Sequence, residues 1–152
     1  MPYSRNDIEI GGGPNFHHGW AEPGRYVWNL DPYYGEGPWR KPAQELPWPA
    51  VDDSITRVRA SHVLEHIPAG EPRINVFNEA HRVLIPGGIF AIDVPRFPHD
   101  AAVSDPTHVS FFVPDSFIYF TAPSVSGPSW EVWYLAEITA NSATIHCELR
   151  KP

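Results

Sequence analysis

The sequence contains little cysteine and little lysine, and it has no long apolar run. Its single cysteine, Cys147, excludes an intramolecular disulfide and a metal cluster built on cysteines. No apolar stretch approaches the roughly 20 residues that span a membrane, and nothing resembles a signal peptide, so we expect a cytoplasmic protein without a membrane partner. Two lysines and nine arginines stand against 18 acidic residues, for a net charge of −7, which argues against nucleic acid as a partner.

The length of 152 residues predicts a single domain over residues 1–152. Apolar residues make up 42% of the chain, enough to form a core. Eighteen prolines favour loops over helices, so we expect little helix.

The predicted elements alternate strands with helices. Short strands end at Gly11 and at Asp31, and a turn-rich aromatic loop fills residues 32–50. The later elements are a strand at 54–61, a helix at 71–84, a strand at 89–95, a short helix within 113–120, and a hairpin of strands at about 130–139 and 143–149. This order predicts an α/β fold with a mostly parallel sheet and a C-terminal antiparallel hairpin.

Ligands of such sheets bind at the carboxyl ends of the strands. The residues expected there include Gly11, Asp31, Ser61, His62 and Pro95. A Gly-x-Gly after a strand lets the backbone approach a nucleoside, and a carboxylate at the end of the next strand can hold both ribose hydroxyls. No lysine follows the glycines, which excludes a phosphate-binding P-loop.

The segment "SHVLEHIP" (61–68) contains His62-x-x-Glu65-His66, which matches the H-x-x-E-H signature of a class of zinc enzymes. In those enzymes the motif lies within a long helix, whereas here a predicted strand precedes it and Pro68 follows closely. The sequence marks no third ligand. We therefore expect no metal site, and we interpret His66 as a residue that packs or caps beneath the strand end.

Several motifs together resemble those of class I S-adenosylmethionine (SAM) dependent methyltransferases, especially small bacterial and phage members. "IEIGGGP" resembles their first motif, and "VWNLDP" is similar to their second strand with its ribose-binding acid. The run from "LPWPAVDD" through "HVLEHIP" to "RVLIPGGIFAIDVP" (46–95) resembles the most specific part of the family pattern, and "SDPTHVSFFVPDSFIYF" (104–120) is also similar. The resemblance implies a Rossmann-like sheet with reduced helix content, SAM as cofactor, and "HVLEH" as a turn after a strand.

The resemblance also implies roles for individual residues. The residues expected to contact the cofactor follow its parts in turn: the methionine part and its amine, the ribose, the adenine and the sulfonium. In that order they are Gly11, Gly12 and Gly13 with Glu9, then Asp31, then Leu46 and Trp48, then Ser61 and His62. His62 is the candidate general base because its pKa is near neutral, or else it forms a wall of the pocket. Asp105 and His108 are further catalytic candidates in a substrate lid, or else parts of a structural turn.

Three positions depart from the family pattern: Pro42 replaces an acid that reads the adenine amino group, Thr56 replaces an acid before the fourth strand, and Asn15 replaces a third glycine. The helix usual between the first two strands is expected to be short or absent. The expected function is methyl transfer to an oxygen or nitrogen of a small molecule, sugar or glycan. The alternative is a degenerate methyltransferase-like module that acts in interaction or assembly.

A sheet that lacks covering helices exposes apolar surface, so a homodimer is expected through residues 128–150 or the loop 33–48. Trp130, Trp133 and Tyr134 lie close together in the first of these segments. The other possibility is that the loop aromatics fold back over the sheet and keep the chain monomeric.

Overall fold

The computed structural model describes residues 6–15 and 25–152. Its strands form one six-stranded sheet with the order β2-β1-β3-β4-β6-β5. The strands are β1 Asn6–Ile10, β2 Tyr26–Leu30, β3 Ile55–Ser61, β4 Leu84–Pro95, β5 Tyr134–Ala140 and β6 Thr144–Arg150, and the α-helices are α1 Glu71–Val83, α2 Asp100–Val103 and α3 Asp115–Ile118. Strands β1 to β4 pair in parallel, and β6 pairs antiparallel with both β4 and β5. The predicted fold class, a mostly parallel sheet with a C-terminal hairpin and few helices, is confirmed.

One face of the sheet holds the hydrophobic core. A row of fully buried side chains crosses four strands in register: Ile8, Val58, Phe90 and Leu149. Helix α1 covers this row with its apolar stripe, in which Phe77 packs edge-on to Phe90 with ring centroids 5.2 Å apart. Burial of these side chains fixes the position of the helix on the sheet.

The opposite face carries charged side chains. Arg57 on β3 forms an ion pair of 2.7 Å with Glu148 on β6, and Arg59 lies 3.9 Å from Glu9 on β1. Farther along β4, Asp93 accepts a hydrogen bond from the His146 ring at 2.7 Å. This face therefore carries ion pairs where the sequence led us to expect exposed apolar surface, and the β1 carboxylates on it, Asp7 and Glu9, are buried.

Helix α1 ends at Val83 rather than at the predicted 84. The backbone N–H groups of Asp53 and Ser54 donate to the carbonyls of Arg82 and Val83, which stops the helix. The chain then enters β4 at once, because Leu84 pairs with Ile55. The strand predicted for 89–95 is therefore longer than expected, and its pairing with β3 is irregular between Leu84 and Ile89.

The remaining helices are short. The predicted helix within 113–120 is confirmed as α3 and a following 3-10 turn, Tyr119–Thr121. Helix α2, which the sequence did not predict, begins after His99, whose ring nitrogen accepts a hydrogen bond from the Ala101 N–H. The prediction that the helix after β1 is short or absent falls on residues outside the described ranges. Within the described ranges, no helix has the length and apolar character that crossing a membrane requires.

The aromatic loop before β3 is ordered, as predicted, and it is only partly folded onto the core. Trp39 and Trp48 are buried, and Trp39 stacks on Trp28 of β2 at 5.1 Å. Tyr33 and Tyr34 remain exposed. The loop therefore supplies core contacts at its two tryptophans and leaves its tyrosines free to contact a ligand or a partner.

The core contact between α1 and the sheet generates a stability prediction. The Phe77 ring is completely buried and stacks on Phe120 at 3.9 Å. Phe77→Ala should lower the free energy of unfolding by about 3–5 kcal/mol, because it removes the buried ring and leaves a cavity. Urea unfolding measures this change. Val125→Ala is the control: Val125 is 98% exposed, so its loss should change stability by less than about 0.5 kcal/mol.

Strand β5 lies at the edge of the sheet, and most of its side chains are exposed. We propose that this edge pairs with a second copy of the chain, as expected from the sequence. Trp133 is not available for such a contact, because it is fully buried against Phe90 and His81. The candidate interface is therefore β5 itself, with Tyr134 and Leu135 exposed.

Light scattering tests the proposed dimer. The wild-type chain of 17.1 kDa should show about twice that mass at micromolar concentration. Leu135→Lys should reduce it to the monomer mass, because lysine on an edge strand opposes pairing. Val51→Lys, on an exposed loop residue, is the matched control and should leave the mass unchanged. A monomer mass for the wild type, constant on dilution, would contradict the proposal.

Candidate active site

The carboxyl ends of the parallel strands meet at one edge of the sheet, as the sequence predicted. Gly11 follows β1, Asp31 follows β2, Ser61 ends β3 and pairs with Asp93 of β4. The residues predicted to hold a ligand therefore arise from neighbouring strands that end side by side.

The glycine turn after β1 is tied to the end of β2. The Gly12 N–H donates to the Asn29 side-chain oxygen at 3.1 Å, and the Asn29 amide donates to the Gly13 carbonyl at 3.0 Å. The Gly13 N–H donates to Asp31 Oδ2 at 3.0 Å. Both Gly11 and Gly13 have positive φ angles, of 62° and 64°, which glycine adopts without strain.

The Asp31 carboxylate is 95% buried and organises the start of the aromatic loop. Its Oδ1 atom accepts hydrogen bonds from the N–H groups of Tyr33 and Tyr34 at 2.8 and 2.9 Å. With Gly13 on Oδ2, both oxygens already contact backbone donors. A ribose at this position would share these oxygens or displace the Gly13 contact.

A groove of about 180 Å³ runs along the strand ends beside the glycine turn. Its lining residues are Ile10, Gly11, Leu30, Pro32, Pro42, Ala43, Gln44, Val63, His66 and Ile67. Most of these side chains are apolar, which suits the face of a flat aromatic base. Pro42, at the family's adenine-reading position, lines the groove, and Gln44 and His66 are its polar side chains.

The segment "HVLEH" forms a turn after β3, as predicted. Its 3-10 helix is only Leu64–His66, so the motif does not lie within a long helix. Val63 packs directly on the glycine turn: a Cβ added at Gly11 would lie 2.6 Å from Val63 Cγ2. The turn after β3 and the turn after β1 are therefore in close contact.

His62 occupies the most accessible position in this turn. Its φ angle is 53°, its N–H donates to the Asp93 carbonyl at 2.8 Å, and about half of its side chain is exposed. Nδ1 lies 3.7 Å from Glu65 Oε1. The interaction with the Glu65 carboxylate raises the pKa of His62 above its usual value, while burial acts in the opposite direction. The imidazole is thus exposed with a carboxylate behind it, and it lies next to Val63 in the chain without itself lining the groove.

Three other residues predicted to contact the cofactor lie in three different places. Glu9 is buried below the glycine turn, on the charged face of the sheet, near Arg59. Trp48 is buried in the core, where its indole N–H donates to the Ala43 carbonyl at 2.8 Å, so it is a core residue and not a wall of the groove. Leu46 is partly exposed in the same loop and is not among the groove's lining residues.

Asp105 and His108 belong to a loop that folds back onto the "HVLEH" turn. The N–H groups of Val109 and Ser110 donate to the Glu65 carbonyl at 2.8 and 3.1 Å. The His108 ring packs against the His66 ring, with centroids 4.8 Å apart. The structure therefore places this loop beside the candidate site, an arrangement that suits either a lid or a structural turn.

Sequence reasoning did not single out Gln44, Val63 or Glu65 as site residues. Val63 and Glu65 lie inside a quoted motif, but their contacts, of Val63 with Gly11 and of Glu65 with Val109 and Ser110, join residues far apart in the sequence. Gln44 lies two residues after Pro42, which stands where the family has an acid. The missing acid was the signal that another polar residue nearby could read the adenine.

Comparisons with known proteins agree with this geometry. Residues 38–92 match a protein family described as "Methyltransferase domain". No curated protein matches the sequence significantly. The family match covers the aromatic loop, β3, the "HVLEH" turn, α1 and most of β4.

Solved structures share the fold at low sequence identity. The N-methyltransferase NodS from Bradyrhizobium japonicum WM9, in complex with S-adenosylhomocysteine, is 15% identical with a TM-score of 0.66, over 97% of this chain and 78% of that one. The 1,6-didemethyltoxoflavin-N1-methyltransferase of Burkholderia thailandensis is 14% identical with a TM-score of 0.65, over 98% and 72%. The 16S rRNA (adenine(1408)-N(1))-methyltransferase from Catenulisporales acidiphilia is 12% identical with a TM-score of 0.63, over 99% and 89%.

These findings confirm the resemblance that the sequence motifs carry. The chain has the fold of the class I SAM-dependent methyltransferases, and its central segment matches a methyltransferase family. The match to a methyltransferase family supports the enzyme class that the sequence predicts, and NodS binds S-adenosylhomocysteine in its crystal structure.

The contact between Gly11 and Val63 generates a prediction with an internal control. Gly11→Ala should lower both the melting temperature and the affinity for SAM, because the new methyl group collides with Val63. Gly13→Ala has the same positive φ but meets nothing within 4 Å, so it should cost only the backbone strain of about 1–2 kcal/mol. Thermal melting and calorimetric titration measure both variants. Equal losses in the two variants would show that the close packing of the two turns is unimportant.

Proposed function

We propose that this protein transfers the methyl group of SAM to an oxygen or nitrogen of a small-molecule, sugar or glycan acceptor. The observation that carries the proposal is the position of His62, an accessible imidazole at the end of β3 directly before Val63, which packs on the glycine turn. A proton acceptor thus stands beside the predicted methionine site.

The described residues fit SAM at the edge of the sheet. The glycine turn and Ser61 would border the methionine part, with Glu9 supporting the turn from below. Asp31 would accept hydrogen bonds from the ribose hydroxyls. The adenine would bind in the apolar groove, which Gln44 helps to line. In this assignment Gln44 replaces the missing acid at Pro42 as the group that reads the adenine edge.

SAM supplies an activated methyl group on a positively charged sulfur. The residues of the chain then have to align the acceptor and remove its proton. His62 is the proposed base, and its pKa, raised by Glu65, suits the acceptance of a proton. The loop that carries Asp105 and His108 would cover the acceptor from the solvent side.

The charge distribution supports a small or neutral acceptor over RNA, although some fold neighbours act on rRNA. Several cations are already paired within the protein: Arg57 with Glu148 at 2.7 Å, Arg82 with Glu79 at 2.6 Å and Lys151 with Asp53 at 2.6 Å. Phosphate contacts need clusters of available arginine and lysine, and the net charge of −7 opposes them.

A second candidate function is an interaction module with little or no catalysis. It is favoured by the contact between Asp31 Oδ2 and the Gly13 N–H, which occupies an atom that the ribose needs. The departures at Asn15, Pro42 and Thr56 point the same way. Binding of SAM and turnover distinguish the two candidates.

Calorimetry with SAM and S-adenosylhomocysteine tests the cofactor site. Both should bind the wild-type chain and raise its melting temperature, because a ligand selective for the folded state stabilises it. Asp31→Asn keeps an acceptor oxygen for Tyr33 and Tyr34, but it loses the charged partner for the ribose and turns an NH2 group toward the Gly13 N–H, so binding should weaken by at least about 1–3 kcal/mol. Glu137→Gln, an exposed acid on β5, is the control and should bind normally. Absence of binding at millimolar SAM would favour the interaction module.

Methyl transfer from labelled SAM to a panel of sugars, phenols and amines tests the base. His62→Asn removes the imidazole but retains a residue that tolerates the positive φ. We expect kcat to fall by about 10²–10⁴-fold while the Kd for SAM is unchanged, the signature of a lost proton acceptor. An unchanged kcat would instead assign His62 to the wall of the pocket.

A further inference from the structure

Three side chains that can bind a metal ion converge next to His62. Glu65 and His66 come from the turn after β3, and His108 comes from the loop that folds back onto it. One ligand atom from each lies within 4.8 Å of the others. The sequence showed Glu65 and His66 but marked no third ligand, because His108 is distant along the chain.

Hydrogen bonds orient both imidazoles. His108 Nδ1 lies 2.9 Å from the Ala102 carbonyl, which can only accept, so Nδ1 carries the proton and the neutral ring has its lone pair on Nε2. His66 Nδ1 lies 3.0 Å from the Thr107 hydroxyl, which itself donates to Asp105 at 2.6 Å. The Thr107 oxygen therefore accepts from His66 Nδ1–H, and the lone pair of His66 is also on Nε2.

This arrangement is the one that metal-ligating histidines use, with the second ring nitrogen donating to a carbonyl or to another oxygen. The hydrogen bonds at Nδ1 therefore fix the tautomer of both rings without a metal ion. His66 Nε2 lies 4.0 Å from Glu65 Oε1, too far for a hydrogen bond and close enough for both atoms to contact one cation after small rotations. Around a tetrahedral zinc ion, ligand atoms are about 3.3 Å apart.

The Glu65 carboxylate is an incompletely satisfied buried group. Its side chain is 97% buried, and Oε2 has no hydrogen-bond partner among the described residues. Oε1 lies 3.7 Å from His62 Nδ1 and 4.0 Å from His66 Nε2. Burying a carboxylate is costly without a compensating charge, and a bound cation provides one.

We propose that Glu65, His66 and His108 bind a divalent metal ion of the zinc type, through one carboxylate oxygen and the two Nε2 atoms. Two imidazoles and one carboxylate form a ligand set of zinc enzymes, which leaves a further position open. Asp105 Oδ2, 3.7 Å from His108 Nε2, adds negative charge on the solvent side.

The role of the ion rests on the proposed function. An acceptor hydroxyl on the open position would lose its proton more easily, and it would lie beside His62. The proton would pass to His62 or to solvent, and the new bond would form between the acceptor oxygen and the methyl carbon as the carbon–sulfur bond breaks. Metal binding itself requires no SAM, so the two proposals are tested separately.

The test uses the full chain, stripped with a chelator and titrated with Zn²⁺ in the calorimeter without SAM. We expect one equivalent to bind and Co²⁺ to give the visible absorption of a low-coordinate site. His108→Ala and Glu65→Gln should weaken binding by more than about 100-fold. Thr107→Val, which removes only the hydroxyl that orients the His66 ring, should weaken it by about 10–100-fold.

His146→Ala is the matched control, because His146 belongs to another group of possible ligands, with Glu137 and Glu148, on the charged face. This variant should bind Zn²⁺ as the wild type does. Circular dichroism and melting curves establish that each variant is folded, and His66→Gln replaces Glu65→Gln if the latter does not fold. The proposal is overturned if the wild type binds no Zn²⁺ at micromolar concentration, if His108→Ala binds normally, or if His146→Ala abolishes binding. SAM titrations of the stripped chain report on the cofactor site separately.

Discussion

The packing of α1 against one face of the sheet is the interaction on which the rest of the structure depends. The buried row that ends in Phe90 and Leu149 is completed by Phe77 from the helix. The close packing of these buried side chains fixes which strands are neighbours and where each strand ends. Since the candidate site is assembled from strand ends, its geometry follows from this contact: Gly11 and Val63 come together because β1 and β3 are held in register.

The site combines a rigid frame with a loop that comes from elsewhere in the chain. The glycine turn and the "HVLEH" turn pack on each other through Gly11 and Val63, without room for another methyl group. The loop that carries His108 is attached to the second turn by two backbone hydrogen bonds to Glu65. The proposed cofactor side and the proposed acceptor side of the candidate site therefore share one short segment, so a substitution of Glu65 should alter both.

Much of the fold could be predicted because its signals are local. Short apolar runs between turn residues predicted the strands, and apolar residues at helical spacing within 71–84 predicted α1. The packing of side chains that are far apart in the sequence could not be predicted in the same way. Trp48 packs in the core, where its backbone N–H donates to Glu79, and does not line the groove. The His108 ring packs against the His66 ring. These contacts depend on how loops fold over the sheet, which periodicity does not encode.

The charged face of the sheet has a consequence for how the chain finds its fold. Asp7 and Glu9 alternate along β1 with Ile8 and Ile10, so a slip of one residue against β3 would exchange the two faces. Both carboxylates would then enter the apolar core, at a cost of several kcal/mol for each unpaired charge. The paired charges on this face thus make misaligned strand pairings unfavourable, which helps a short chain with few helices to specify a single register.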